Sequence, residues 1–129
     1  MSATRIEILA SGAQTATAQG GAIAVGNMKE LGVMADVTVA SGTLTVYLQS
    51  SSDGGTTWFD LPYDLALVTA ATAAAGTATA SNRNIHSSIT ATAKAMAQYA
   101  KFGDLVRGAW VISGSGATFT FSIKAVGKN

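Results

Sequence analysis

Thr43-Leu44-Thr45-Val46-Tyr47-Leu48-Gln49 places Leu44, Val46 and Leu48 at every second position. A period of two belongs to a strand, whose successive side chains point to opposite sides, and not to a helix with its period of 3.6. Residues 117 to 125 repeat the pattern. Phe119, Phe121 and Ile123 face one way, while Thr118, Thr120, Ser122 and Lys124 face the other. Both stretches read as antiparallel strands with one face buried and one wet. They set the fold class: all-β.

Further strands are expected outward from these two. Residues 4 to 9 carry Ile6 and Ile8 on one face and Glu7 on the other. Residues 21 to 26 are short and apolar, and residues 32 to 39 carry Val33, Met34, Val37 and Val39. Residues 105 to 112 set Val106, Trp110 and Ile112 opposite Arg107. Gly20-Gly21, Ser41-Gly42, Asp53-Gly54-Gly55 and Ser113-Gly114-Ser115-Gly116 punctuate them, the last reading as a hairpin turn. Short strands at this spacing imply an antiparallel β-sandwich of jelly-roll-like form. The chain has 129 residues, enough for one such core.

The division expected is an N-terminal arm at 1–5, a β-sandwich domain at 6–129, and an Ala/Thr-rich insertion at about 66–100. Ala91, Ala93, Ala95 and Ala97 recur at every second position up to Tyr99. Alanine permits a helix, but the interleaved threonines favour extended structure. Such small side chains fill little core, so this region reads either as a long mobile loop or as a surface packed against another subunit.

Only 12% of the residues are charged, against roughly a quarter in ordinary soluble proteins. The net charge is +1, and the eight Lys and Arg residues form no basic stripe, so nucleic acid is not an expected partner. There is no cysteine, hence no disulfide and no thiolate metal site. The first residues lack the basic start and apolar run of a signal peptide. No apolar stretch reaches the roughly 18 residues a membrane helix needs, so no membrane partner is expected.

Ser51-Ser52-Asp53-Gly54-Gly55-Thr56-Thr57-Trp58 fits the Asp-box pattern S-x-D-x-G-x-T-W. The pattern resembles the hairpin repeats of sialidase-type propellers, and what it encodes is a turn. Ser51 and Asp53 can bind local backbone amides, Gly54 and Gly55 tolerate positive φ, and Thr57 leads into Trp58, which packs the hairpin onto its sheet. A propeller repeats its blade, and here the motif occurs once. Sialidase chemistry would also ask for an arginine cluster that Arg5, Arg83 and Arg107 do not form in sequence.

Other chemistry fares no better. His86 has no nucleophile elbow near any serine and reads as a loop residue. The carboxylates Glu7, Glu30, Asp36, Asp53, Asp60, Asp64 and Asp104 show no metal-ligand spacing. No Gly-rich phosphate loop opens a helix. The expectation is no catalytic residue, no cofactor and no metal. Arg107, the charge inside an otherwise apolar strand, is expected to pair with Asp60 or Asp104, or to meet a neighbouring subunit.

Residues 46 to 61 and 102 to 110, closing with residues 119 to 128, resemble small structural proteins of tailed phages. The shared pattern is a strand, a DGG-T-W hairpin, an arginine-bearing strand and a final amphipathic strand. The resemblance implies a capsid decoration (cement) protein, commonly trimeric, seated on the outer capsid surface of the virion with the major capsid protein as partner. Synthesis would be in the bacterial host cytoplasm. Met1, Ser2, Ala3, Thr4 and Arg5 are then the candidate capsid contact. Alternatives are a head fibre, a tail protein, or a glycan-binding adhesin using Trp58, Phe59 and Tyr63. More remote is a glycosidase, which needs two facing carboxylates roughly 5–10 Å apart.

Overall fold

A computed structural model describes residues 3–61, 84–99 and 102–129. Its backbone is a long antiparallel ribbon of β4 (Glu30–Ser51) and β8 (Leu105–Lys128), paired from Glu30↔Lys128 to Ser51↔Leu105 with register shifts at Val37/Val39 and Ser41/Thr43. The two alternating stretches read first from the sequence are the two strands of this ribbon. β1 (Ala3–Gln14), β2 (Ala18–Gln19) and β3 (Ile23–Ala24) line its β8 side, each antiparallel to β8. β5 (Phe59–Asp60), β6 (Asn84–Ile89) and β7 (Ala93–Tyr99) line its β4 side. Among the described residues, all eight strands belong to one antiparallel sheet, an all-β arrangement.

The ribbon bends at its middle. Ladder partners slip between Ser41 and Thr43, where residues 114 to 117 of β8 bulge out. Gly42, Gly114 and Gly116 there have φ of 107°, 115° and 66°. A Cβ at Gly42 would lie 2.6 Å from the Ala117 Cβ and 2.7 Å from the Ser113 carbonyl, so the corner needs glycine for space as well as angle. The bend lays the two halves of the sheet face to face. Trp110 and Phe121, both on β8, meet edge to face with centroids 5.4 Å apart at 78°. A Cβ at Gly108 would come within 2.7 Å of the Ile123 Cδ1. This is the packing of a β-sandwich, with long strands shared between its layers.

The core lies between those layers. Leu31, Val33 and Val37 from one half of β4, and Leu44, Val46 and Leu48 from the other, join Phe119, Phe121 and Ile123 in one buried cluster. Strict alternation in residues 30 to 37 leaves the opposite face half exposed. Residues 46 to 51 are buried on both faces.

Four expectations change. Ala3, Thr4 and Arg5 do not form an arm but open β1, paired to Lys128, Gly127 and Val126; backbone hydrogen bonding to an amphipathic last strand outweighs their lack of core side chains. Met1 and Ser2 lie outside the described residues. Of the 66–100 segment, Asn84–Ile89 and Ala93–Tyr99 are strands on β4 and not a long loop, with Ala97 and Tyr99 buried inside the domain. Its small side chains are accommodated because bulky Leu31, Val33 and Val37 on β4 fill the core beside them. Residues 66 to 83 lie outside the described residues. Gly114-Ser115-Gly116 is a bulge within β8 and no hairpin turn, since the segments on either side both pair with β4 and not with each other. His86 stands on a strand, opposite Val46.

Candidate functional site

The register of the sheet brings Arg107, Gln49 and Asp60 into one row, because Gln49 faces Arg107 on β8 and Asp60 on β5. Arg107 Nε donates to Gln49 Oε1 at 2.8 Å, and Gln49 Nε2 donates to Asp60 Oδ1 at 3.0 Å. Gln49 and Asp60 are fully buried. The amide thus links the arginine to the carboxylate, and both ends of the buried Gln49 side chain find a partner. The Arg107 guanidinium also lies 4.1 Å from the centre of the Trp58 ring, a cation–π contact. Burial lowers the Arg107 pKa from its usual value, and the nearby Tyr47 opposes that shift.

Trp58 connects this row to the turn. Its indole Nε1 donates to the Gly55 carbonyl at 2.9 Å. Ser51 Oγ donates to Asp53 Oδ1 at 2.8 Å and accepts the Gly55 amide at 2.9 Å. Asp53 Oδ1 further accepts the amides of Thr56 and Thr57 at 3.1 and 2.8 Å. Gly54 and Gly55 take φ of 76° and 97°. Bonds from the Thr57 amide and the Ser51 hydroxyl hold the Asp53 carboxyl down at about 2. The Ser51 hydroxyl, the Asp53 carboxylate and the Trp58 indole N–H are all spent on shaping the turn.

A second clasp lies beneath. Ser50 Oγ accepts the Gly103 amide and donates to the Leu105 carbonyl, both at 2.7 Å. A side chain at Gly103 would run into the Ser51 carbonyl, so the chain entering β8 passes close under the turn. Asp104 stands exposed there, its carbonyl accepting the Val25 amide at 2.8 Å.

The structure therefore brings together Ser51, Asp53, Gly54, Gly55, Thr57, Trp58, Asp60 and Arg107, with Asp104 beside them at the start of β8. Gln49 and Ser50 were not among the expected residues. The signal for Gln49 was a polar residue breaking the apolar end of a strand; for Ser50 there was none. Glu7 and Glu30 face Lys124 and Lys128 across the sheet and not each other. Among the described residues, no group of three or more His, Asp or Glu side chains is placed to hold a metal. Tyr63, Asp64 and Arg83 lie outside the described residues.

No protein-family model matches the chain, and comparison with curated proteins and with solved structures gives no match.

Proposed function

We propose that this protein is a capsid decoration protein of a tailed phage. It binds the outside of the assembled head, with the major capsid protein as partner, and acts as a homo-oligomer, a trimer being favoured. The observation that carries the reading is the direct pairing of the two segments on which the phage resemblance rests. Residues 46 to 51 and 105 to 110 are far apart in sequence yet form one ladder, and Arg107 of the second clasps Trp58 of the first. The shared pattern is thus one structural unit, a rigid hairpin fixed to a sheet. Its polar groups serve shape and are not set out for a reaction.

The glycan alternative needs an aromatic face open to a sugar. Trp58 is 7% exposed and lies under Arg107, which weighs against that reading.

A cement protein that binds the expanded shell and not its disassembled subunits stabilises the shell by mass action, by roughly 2.7 kcal/mol per site at a hundredfold excess over Kd. Several contacts per oligomer add by avidity. Heating expanded, undecorated capsids with and without the protein tests this. The reading expects a higher disruption temperature that saturates with added protein, and an unchanged temperature at saturating protein contradicts it.

A further inference from the structure

We propose that the outer face of the sheet layer built from β1, β7 and residues 30 to 41 and 119 to 128 is a self-complementary contact for a second copy of this chain. The inference does not rest on the capsid reading.

Cross-strand registers define the face. One row runs Arg5, Val126, Gly32, Gln98, and the next Glu7, Lys124, Met34, Met96. Met96 is 70% and Val126 37% exposed, large values for apolar side chains in a sheet. Gly32 sits between Val126 and Gln98, and a Cβ there would meet nothing within 4 Å, so the row has a notch beside a knob. All of these residues but Gln98 line a groove of about 540 Å³. Around it each carboxylate faces a lysine on the adjoining strand: Glu7 with Lys124, Glu30 with Lys128, Asp36 with Lys94. Charge is balanced along the rim, which suits a partner whose charges are balanced in the same way.

A two-fold axis lying between β4 and β8, parallel to both, sets each β8 over the partner's β4. Residues in register then exchange places. Val126 of one copy enters the notch at Gly32 of the other, and Lys128 meets Glu30. The Lys124 stem lies along Met34, whose flexible thioether adapts to it. Aligned face-to-face packing of this kind is what sandwich sheets do. Four strands about 4.8 Å apart and seven residues at about 3.4 Å give a flat footprint of roughly 450 Å². That is below the roughly 800 Å² per partner of a standard interface, so the contact is weak and reversible. A two-fold contact closes at two copies and cannot build a trimer, which needs a separate surface.

Sedimentation equilibrium of the purified protein up to about 1 mM tests the contact. The expected result is a mass rising with concentration towards twice that of the monomer. Gly32→Tyr, at an open position in an ordinary strand conformation, should fold normally and raise the dimer Kd by roughly tenfold or more. Because the chain has no cysteine, single Gly32→Cys and Val126→Cys variants can also be mixed under mild oxidation. The mixture should form disulfide-linked dimers faster than either variant alone. A monomer at every concentration overturns the proposal. So does a dimer that folded Gly32→Tyr leaves unchanged, or a mixed disulfide no faster than the single ones.

Discussion

Asp53 shows how the turn depends on ionisation. Its carboxyl titrates at about 2 and not at its ordinary 3.8, so between those values the folded chain binds fewer protons than the unfolded one. Stability from this group is complete above about pH 4 and is lost as pH falls through about 2. Asp53→Asn keeps the size of the side chain but not the charge. The variant should melt below wild type at pH 7, and the difference should shrink between pH 4 and 2 when thermal melts are followed across that window. Arg107 makes a second residue-scale test. Arg107→Met leaves the Gln49 carbonyl oxygen without the Nε donor in a buried row, at a cost of about 1–3 kcal/mol in urea unfolding. Arg107→Lys should recover only part of it, since an ammonium does not reproduce the planar stacking on Trp58. At this scale the sequence was informative where a motif encodes its own local bonds. Ser51, Asp53 and Trp58 could be read as a turn because their partners are within a few residues. The partners of Arg107 could not be fixed, because Gln49 is 58 residues away and its place depends on strand register.

Strands were legible wherever one face is buried and the other wet. Residues 43 to 49 and 117 to 125 alternate because each lines the core on one side, but the other side of the first is not wet as expected: Tyr47 and Gln49 are buried there too. The continuation of the two strands was not legible. Gly42 and Gly114-Ser115-Gly116 look like chain breaks in sequence, yet the ladder passes through both and turns a corner there. Glycine signals a special φ without saying whether the chain reverses or merely bends. Gly42→Ala tests the corner. It forces a Cβ against Ala117 and the Ser113 carbonyl at positive φ, and should cost at least about 1–3 kcal/mol by chemical denaturation. Gly32→Ala, in open space on the same strand, should be near neutral or mildly stabilising. In strand β7 alanine suits helix and strand alike; the threonines interleaved ahead of it favoured extended structure, and pairing with β4 supplies it.

The whole molecule depends on the two layers sharing their strands. Trp110 and Phe121 belong to opposite layers but to one strand, so neither layer can lose its core while the other keeps it. Unfolding should be a single cooperative transition, with tryptophan fluorescence and far-ultraviolet circular dichroism coinciding; two separated transitions would contradict shared layers. Phe121→Ala should cost about 3–5 kcal/mol and lower both signals together. Such a domain, few in charges and with its one conspicuous motif committed to shape, fits a role in which surface matching is the activity. The direct test of the proposed role is co-sedimentation of the purified protein with expanded, undecorated capsids of a tailed phage that encodes it, with stoichiometry counted per major capsid subunit. Saturable binding at a ratio that fits trimers on the shell is the result expected of a cement protein. Folded protein that stays in the supernatant beside intact capsids would contradict it.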